Sequence, residues 1–344
     1  MPTQSDAKSG NQVAPAVALR ELIGGFRATQ LIYVAAKLGI ADLLKHGPKT
    51  SDELAESVGA QPHALYRVLR ALAGLGIFEE GRDGRFDLTP LAEPLRTGVP
   101  GSLRAWAVIN GGEWQRSWGD LMYSVRTGRP AFDNVYGMGF WEYHDKNPET
   151  AESFNEGMSE IAERVLAGVV EAYDFSGATT AVDVGGGHGS LIAAILKANP
   201  HLRGVLFDKP AVVESARAAI EARGLAGRCE LVAGDFFESV PGGADLHLLK
   251  WIIHDWDDDR AIMVLRSCRH ALAGNGKLLV VERVIPPGNE PSEGKLGDIM
   301  MLVLMGGLER TEAEYRALFA KAGFTLTRIV PTASPFSVIE GVPA

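Results

Sequence analysis

From Thr180 onward the chain alternates short apolar runs with segments of helical length, and this pattern limits the possible folds more than any other feature. Ala181–Val184, Gly204–Phe207, Cys229–Val232, Asp245–Leu249 and Lys277–Val281 read as buried strands, with helices expected at Ser190–Ala198, Ala211–Arg223 and Asp257–Ala273. Strands and helices alternating at these lengths predict a parallel, doubly wound α/β sheet. Thr311–Ala322 reads as one more helix, and Thr325–Val330 with Phe336–Ile339 as a hairpin that closes the sheet.

The first strand runs into Gly185-Gly186-Gly187-His188-Gly189-Ser190, which is four glycines in five residues at the start of a helix. Glycine at this turn permits a tight bend and a close approach of backbone to a ligand. The dinucleotide fingerprint G-x-G-x-x-G fails at Ser190, and the fit is to G-x-G-x-G, which argues against a nicotinamide or flavin cofactor. Asp208 ends the second strand, where a carboxylate can accept hydrogen bonds from both hydroxyls of a ribose. Asp235 and Phe236 follow the third strand and offer an acceptor for an exocyclic amine and a flat face for a purine. Each acid alone could equally cap a following helix. Gly185, Asp208 and Asp235 in sequence at strand ends fit a ligand better, because doubly wound sheets bind ligands beyond the carboxyl ends of their strands.

The region before this domain has a different texture. Leu19, Leu22, Ile23 and Phe26, continued by Ile32, Tyr33 and Ala36, form a helical apolar face broad enough to be buried on more than one side. Thr50 and Glu53 make a capping box, and Leu65, Val68, Leu69 and Leu72 mark a second helix. Gly81–Gly84 lies between two short strand signals as a hairpin turn. Helix, turn, helix and hairpin spell a winged-helix-like module, used either for DNA binding or for dimerisation. Between Ser51 and Pro90 there are four basic and seven acidic residues, a net charge of −3. A DNA-binding module usually presents a basic patch. The whole chain carries −9, which also disfavours nucleic acid and anionic membrane as partners.

Of the 344 residues, 46% are hydrophobic and 22% charged, which excludes a largely disordered chain. The longest apolar run, Ile299–Met305, is far short of the roughly 20 residues that span a bilayer. Met1–Asn11 lacks the basic and apolar regions of a signal peptide, and Cys229 and Cys268 are the only cysteines, so a cytoplasmic setting is expected. The expected divisions are a flexible tail over 1–14, the winged-helix-like domain over 15–103, a helical linker and pocket region over 104–173 and the α/β domain over 174–344. The linker region is rich in Trp, Tyr and Phe, suited to interdomain packing or to a flat ligand.

The motifs Asp183-Val184-Gly185-Gly186-Gly187-His188-Gly189, Gly234-Asp235-Phe236-Phe237, Leu249-Lys250-Trp251-Ile252-Ile253-His254-Asp255-Trp256 and Gly306-Gly307-Leu308-Glu309-Arg310-Thr311 carry a family resemblance. Tyr136-Gly137-Met138, Glu142-Tyr143-His144 and Phe154-Asn155-Glu156-Gly157-Met158 add to it. Together they resemble the class I S-adenosylmethionine-dependent O-methyltransferases of the caffeic acid, hydroxyneurosporene and acetylserotonin type, from about Pro15 to the end. The resemblance implies a Rossmann-like sheet and a homodimer formed through the winged-helix-like domain. It also implies S-adenosyl-L-methionine as methyl donor, S-adenosyl-L-homocysteine as product, and no metal.

By the same resemblance His254 is the general base, and Glu282 and Glu309 flank it and fix its tautomer and ring orientation. A histidine with a pKa near 6.5 is largely neutral at neutral pH, and can take a hydroxyl proton as the oxygen attacks the methyl. Lys250 matches a position that contacts the cofactor, although a lysine snorkelling from a strand end reads similarly. Trp256 matches a residue packed near the adenine, and Asp255 one that touches substrate. The run Asp257-Asp258-Asp259 reads as the charged first turn of a helix. Phe140, His144, Phe154, Met158, Ile161, Met300, Met301 and Leu304 match the acceptor pocket, and methionine there suits a plate-like substrate. Ile161 and Leu304 are apolar where plant members carry a polar residue, which counts against caffeic acid itself. The expected reaction is methylation of a hydroxyl on a small, aromatic secondary metabolite. Methylation of N or S, a non-methylating hydroxylase- or pericyclase-like enzyme that retains the cofactor, and a winged-helix transcription regulator are the alternatives.

Overall fold

The structure, a computed structural model, describes residues 14–344, so all but the last residue of the expected N-terminal tail lies outside the described residues. The described residues form two compact units. One runs up to Gln115 and takes in Glu152–Glu160; the other comprises Arg116–Ala151 and Ile161–Ala344. The expected linker region over 104–173 is thus shared between them.

In the first unit, helices Ser51–Val58 and Pro62–Gly74 precede a hairpin of Phe78–Glu80 and Arg85–Leu88. Lys49–Thr50 pairs with the second hairpin strand to complete a three-stranded sheet. The capping box forms, with the Glu53 N–H donating to Thr50 Oγ1 at 3.2 Å and the Thr50 N–H to Glu53 Oε2 at 2.7 Å. Leu54, Leu65, Leu69, Leu72, Phe78 and Phe86 fill the core of this module. The apolar face before it differs from expectation. Helix Pro15–Gly24 has no buried residue, and Leu22 and Ile23 are 79% and 66% exposed. The helical period is present, but a period cannot bury a face unless another surface covers it, and within this chain the described residues supply none.

The aromatic residues around Trp114 pack within the first unit. Trp114 meets Trp106 edge-on at 5.4 Å and Phe154 at 6.5 Å. Glu160 ties the segments together, accepting the Ser102 hydroxyl and the N–H groups of Ala105 and Trp106.

The second unit holds a seven-stranded sheet: β1 (Thr180–Val184), β2 (Arg203–Asp208), β3 (Cys229–Ala233), β4 (Leu246–Lys250), β5 (Lys277–Glu282), β6 (Phe324–Pro331) and β7 (Ser337–Pro343). Their spatial order is β6-β7-β5-β4-β1-β2-β3. β1 to β5 run parallel, as the alternation predicts. The closing hairpin makes the sheet mixed, because β7 inserts antiparallel against β5 and β6 takes the edge. Two apolar layers cover the faces, one built around Leu191, Ile195, Leu206 and Leu248, the other around Leu249, Val264, Leu265 and Phe319.

The chain steps outward from β1 through β2 to β3, then returns to place β4 on the other side of β1. Strand order therefore reverses between β1 and β4, and doubly wound sheets bind their ligands beyond the carboxyl ends of strands at such a point. A short parallel pairing, Val284–Ile285 with Arg310–Thr311, extends the frame here and draws Glu309 beside Glu282 and Arg283. Among the described residues, no helix is long and apolar enough to cross a membrane.

Candidate active site

The glycine loop leaves β1 with Gly185, Gly187 and Gly189 in the left-handed region, at φ 68°, 57° and 71°. Three of its four glycines answer to the protein's own packing. A Cβ on Gly185 would lie 2.6 Å from Ile252 Cδ1, one on Gly186 would overlap the Leu206 side chain, and one on Gly189 would lie 2.8 Å from Ile220 Cδ1. Only Gly187 borders open space, with nothing within 4 Å of the position a Cβ would take. Neighbouring side chains thus leave no room for a Cβ at Gly185, Gly186 or Gly189, and the left-handed φ favours glycine at Gly187. Asp183, inside β1, is fully buried and accepts the Ile192 N–H at 3.1 Å, which fastens the helix after the loop. Burial pushes its carboxyl up to about 6.

Asp208, at the end of β2, faces that opening. Its Oδ2 accepts the Gly187 N–H at 2.9 Å and its Oδ1 the Lys209 N–H at 2.7 Å. Desolvation raises its pKa above the ordinary aspartate value. It does not cap the next helix, whose N-cap is Lys209 followed by Pro210. Asp235 is exposed after β3, where its Oδ1 accepts the Phe237 N–H at 2.8 Å and no helix follows. Phe236 meets Phe237 at 4.8 Å and Trp256 at 6.3 Å, both edge-on, and Trp256 meets Phe237 at 4.9 Å. Gly187, Asp208, Asp235 and this aromatic group thus lie at successive strand ends, and their donor set of two carboxylates and apolar rings fits the ribose and purine of a nucleoside.

At the end of β4, Lys250 lays its ammonium over the Trp251 ring, 3.7 Å from the centroid. Burial lowers its pKa to about 8, against the opposing pull of Asp183 and Asp255. Trp251 has φ 58°, and among the described residues it is the one non-glycine with positive φ. Strain of this kind costs about 1–3 kcal/mol and clusters at functional sites. It turns the chain sharply from β4 into a short helical turn, Ile253–Asp255, that carries His254.

His254 is 7% exposed. Its Nδ1 lies 3.1 Å from Glu309 Oε1, so Nδ1 carries the proton that this carboxylate accepts and Nε2 is the basic nitrogen. Nε2 lies 3.4 Å from Asp255 Oδ1. Glu309 therefore orients the ring as the resemblance implies. Glu282 does not. Its Oε1 accepts the main-chain N–H groups of Ile253 at 2.6 Å and His254 at 3.0 Å, and its Oε2 takes the Tyr315 hydroxyl at 2.6 Å. It holds the backbone under the histidine rather than the ring, because it sits at the end of β5, level with those amides.

The pKa of His254 is raised from the ordinary imidazole value near 6.5. Burial pulls it down, but the Glu309 hydrogen bond and the charges of Asp255, Glu309 and Glu282 outweigh burial and lift it to about 9. Asp255, buried among those carboxylates, is pushed up to about 7.

Several residues that sequence reasoning passed over complete the site. Arg283 Nη1 donates to Glu309 Oε1 at 3.1 Å, the same oxygen that His254 uses. Arg310, 2% exposed, bonds the carbonyls of Ile253 and Trp256 and pairs with Asp258, which with Asp259 charges the first turn of helix Asp258–Ala271 as expected. Asp257 is the cap, accepting the Arg260 N–H at 2.9 Å. Gly307 lies flat on the base segment, where a Cβ would overlap the His254 carbonyl oxygen. Arg283 and Arg310 directly follow the two motif glutamates in the sequence, which is the signal that could have found them.

Of the expected acceptor residues, Met300, Met301 and Leu304 lie on helix Glu293–Leu304, whose Gly297 backs onto Arg283 and Glu309. That helix packs on Ala131–Tyr136, which in turn meets the helix carrying Phe140 and His144. The Phe140 and His144 rings meet at a tilt with centroids 4.3 Å apart, and His144 Nδ1–H donates to the Phe140 carbonyl at 2.9 Å. Ile161 is half-buried in the same unit, whereas Phe154 and Met158 belong to the other unit.

Known proteins share this arrangement of chain. A family model described as an O-methyltransferase domain matches residues 118–325, and one described as an O-methyltransferase dimerisation domain matches residues 20–98. A phenazine O-methyltransferase from Lysobacter antibioticus is 46% identical over 325 residues, covering 94% of this chain and 95% of that protein. A mitomycin biosynthesis 6-O-methyltransferase from Streptomyces lavendulae is 41% identical over 326 residues, 94% of this chain and 93% of that one. Among solved structures, an O-methyltransferase from neocarzinostatin biosynthesis in complex with S-adenosylmethionine and 2-hydroxy-5-methyl naphthoic acid has a TM-score of 0.85 and 34% identity, covering 97% of this chain and 100% of that one.

Proposed function

This chain belongs to the O-methyltransferase family, and from that premise we propose that it methylates a hydroxyl of a small aromatic secondary metabolite, with His254 as general base. The methyl donor is S-adenosylmethionine, which when bound supplies an electrophilic methyl on a sulfonium and leaves as S-adenosylhomocysteine. The observation that carries the proposal is the His254–Glu309 hydrogen bond, which leaves Nε2 as the basic atom beyond β4, at the same end of the parallel strands as Asp208 and Asp235.

The residues divide the work as follows. Gly185, Asp208, Asp235, Phe236, Lys250 and Trp256 would hold the donor, Asp208 and Asp235 as acceptors for its ribose and purine, and the rings as its apolar seat. Neutral His254 accepts the acceptor's hydroxyl proton at Nε2, while Nδ1–H stays on Glu309. The imidazolium so formed faces Glu309, Asp255 and Glu282, three carboxylates that stabilise it without moving. An added cation in this cluster lowers the imidazole pKa toward neutrality, because like charge disfavours the charged form. Base catalysis of this kind contributes about 10² to 10⁴-fold.

Phe140, His144, Ile161, Met300, Met301 and Leu304 would seat the flat acceptor, and Asp255 would meet its polar edge. The relatives named above act, by their names, on phenazine and mitomycin scaffolds, which supports an acceptor of fused or conjugated rings. Residues 15–103 pair two copies, and residues 174–344 bind the donor and carry the chemistry. The acidic N-terminal module supports a role without nucleic acid, and the two isolated cysteines support a cytoplasmic setting.

The test is methyl transfer from labelled S-adenosylmethionine to a panel of phenols, hydroxyphenazines and hydroxynaphthoates. His254→Ala should lower turnover at least tenfold on an accepted substrate and leave S-adenosylhomocysteine affinity within a few fold. Unchanged turnover would remove His254 from the reaction, and a wild type that fails to bind S-adenosylhomocysteine in calorimetry would overturn the donor site.

A further inference from the structure

We propose that Arg283 is a positioning residue that sets the basicity of His254 through Glu309, and that Phe336 on the C-terminal hairpin holds Arg283 in place. The inference rests on the reading of His254 as general base.

Two cationic donors meet on one oxygen. Glu309 Oε1 receives His254 Nδ1 at 3.1 Å and Arg283 Nη1 at 3.1 Å, and the Glu309 side chain is fully buried. A carboxylate that already neutralises a guanidinium stabilises an imidazolium less than a free one does. The Arg283 guanidinium lies over the Phe336 ring, 4.3 Å from its centroid. Phe336 is 3% exposed and packs on Trp251 at 5.2 Å, so the hairpin reaches back to the strained turn that precedes the base. Gly297 closes the other side. A Cβ there would lie 3.4 Å from both Arg283 Nη1 and Glu309 Oε1. The arginine is thus held by a ring, a carboxylate and a glycine, each from a different part of the second unit.

The other charged groups around the base are Asp255 on its own turn, Glu282 from β5 with Tyr315 bonded to it, and Arg310 bonded to the Ile253 carbonyl. Asp298 accepts the Glu309 N–H, and Lys250 faces Asp255. Asp255, Glu282 and Glu309 favour the imidazolium, and Arg283 opposes them at the bonded oxygen itself.

Removing Arg283 has one sign whichever of the pair holds the proton. The reactive state is neutral His254 beside ionised Glu309, which has one proton fewer than the imidazolium–carboxylate state or its neutral tautomer. Deleting a nearby positive charge makes that last proton harder to lose, so the apparent pKa of the coupled pair rises.

Arg283→Met should therefore shift the His254 titration, followed by NMR of histidine-labelled protein and assigned by difference from His254→Gln, upward by about one unit. The acidic limb of the kcat profile should move with it, giving about tenfold lower kcat at a fixed pH below the midpoint, with KM for S-adenosylmethionine within a few fold. Arg283→Lys, which keeps the charge, should move the titration by less than half as much. An unmoved or lowered titration in Arg283→Met overturns the proposal, as does a kcat loss that is equal at every pH, the mark of a purely structural clamp. If Arg283→Met does not fold, Phe336→Leu carries the test, since it keeps the charge but removes its seat; an unmoved titration there overturns the proposal. Full turnover in His254→Ala would sink the base reading alone, because the NMR titration still reports whether Arg283 acts on the imidazole.

Discussion

Replacing Tyr315 by Phe removes one oxygen from a fully buried side chain without opening a cavity that matters, so its effect isolates one hydroxyl, whose short bond is to Glu282 and whose longer contact, 3.3 Å, is to the Arg283 carbonyl. That hydroxyl donates to Glu282 Oε2 at 2.6 Å, and Glu282 Oε1 in turn receives the amides of Ile253 and His254. A hydrogen bond to a buried charged group contributes about 1.5–3 kcal/mol, and its loss leaves Oε2 desolvated and unpartnered. We expect Tyr315→Phe to be less stable by about 2 kcal/mol at pH 8, a factor of about 30 in the unfolding equilibrium. The loss should depend on pH. Burial raises the Glu282 carboxyl above its ordinary value, so the native state keeps its proton to higher pH than the unfolded chain does. Stability tied to this group therefore falls as pH rises from the ordinary glutamate value through the raised native one. Tyr315 offsets that fall by favouring the ionised form, so the variant's deficit should be larger at pH 8 than at pH 5.5. Urea unfolding at one fixed protein concentration measures this, since pairing of copies makes stability concentration-dependent. Amide exchange at Ile253 and His254 should quicken in parallel. A deficit below about 0.5 kcal/mol at pH 8, or one that shrinks as pH rises, would refute the role given to Glu282 as the clamp under the base.

Asp208→Ala should weaken S-adenosylhomocysteine binding in calorimetry by about tenfold or more, since charge-assisted bonds contribute about 1.5–3 kcal/mol. Its kcat at saturating donor should stay within a few fold of wild type; an unchanged Kd would remove Asp208 from the donor site. Gly307→Ala forces a Cβ onto the His254 carbonyl oxygen and within 2.6 Å of the Asp255 carbonyl carbon, both backbone atoms that cannot step aside. It should cost about 1–3 kcal/mol of stability, and turnover should fall more than tenfold as the base shifts from Glu309, whereas turnover within twofold of wild type would show that the contact does not position His254.

What the sequence determined by itself were the features that local chemistry dictates. The alternation of strands and helices set five parallel strands, Thr50 and Glu53 set a helix start, and motif spacing put Gly185, Asp208, Asp235 and His254 at the carboxyl ends of strands. Each is a matter of a few neighbouring residues, whose periodicity and capping need no distant partner. Tertiary structure decided the rest. It placed β7 inside the hairpin against β5, and it left the Leu22–Ile23 face uncovered because no surface among the described residues meets it. It also split the two motif glutamates between tasks, Glu309 on the imidazole and Glu282 on the amides beneath it. Those roles depend on which strand end stands level with which turn, and on the pairing of Val284–Ile285 with Arg310–Thr311. The basicity of His254 was beyond sequence for the same reason. It is the balance of burial against the adjacent Asp255 and against carboxylates and a guanidinium drawn from positions 28 to 55 residues away, and electrostatic energy in a buried site follows distance in space, not distance along the chain.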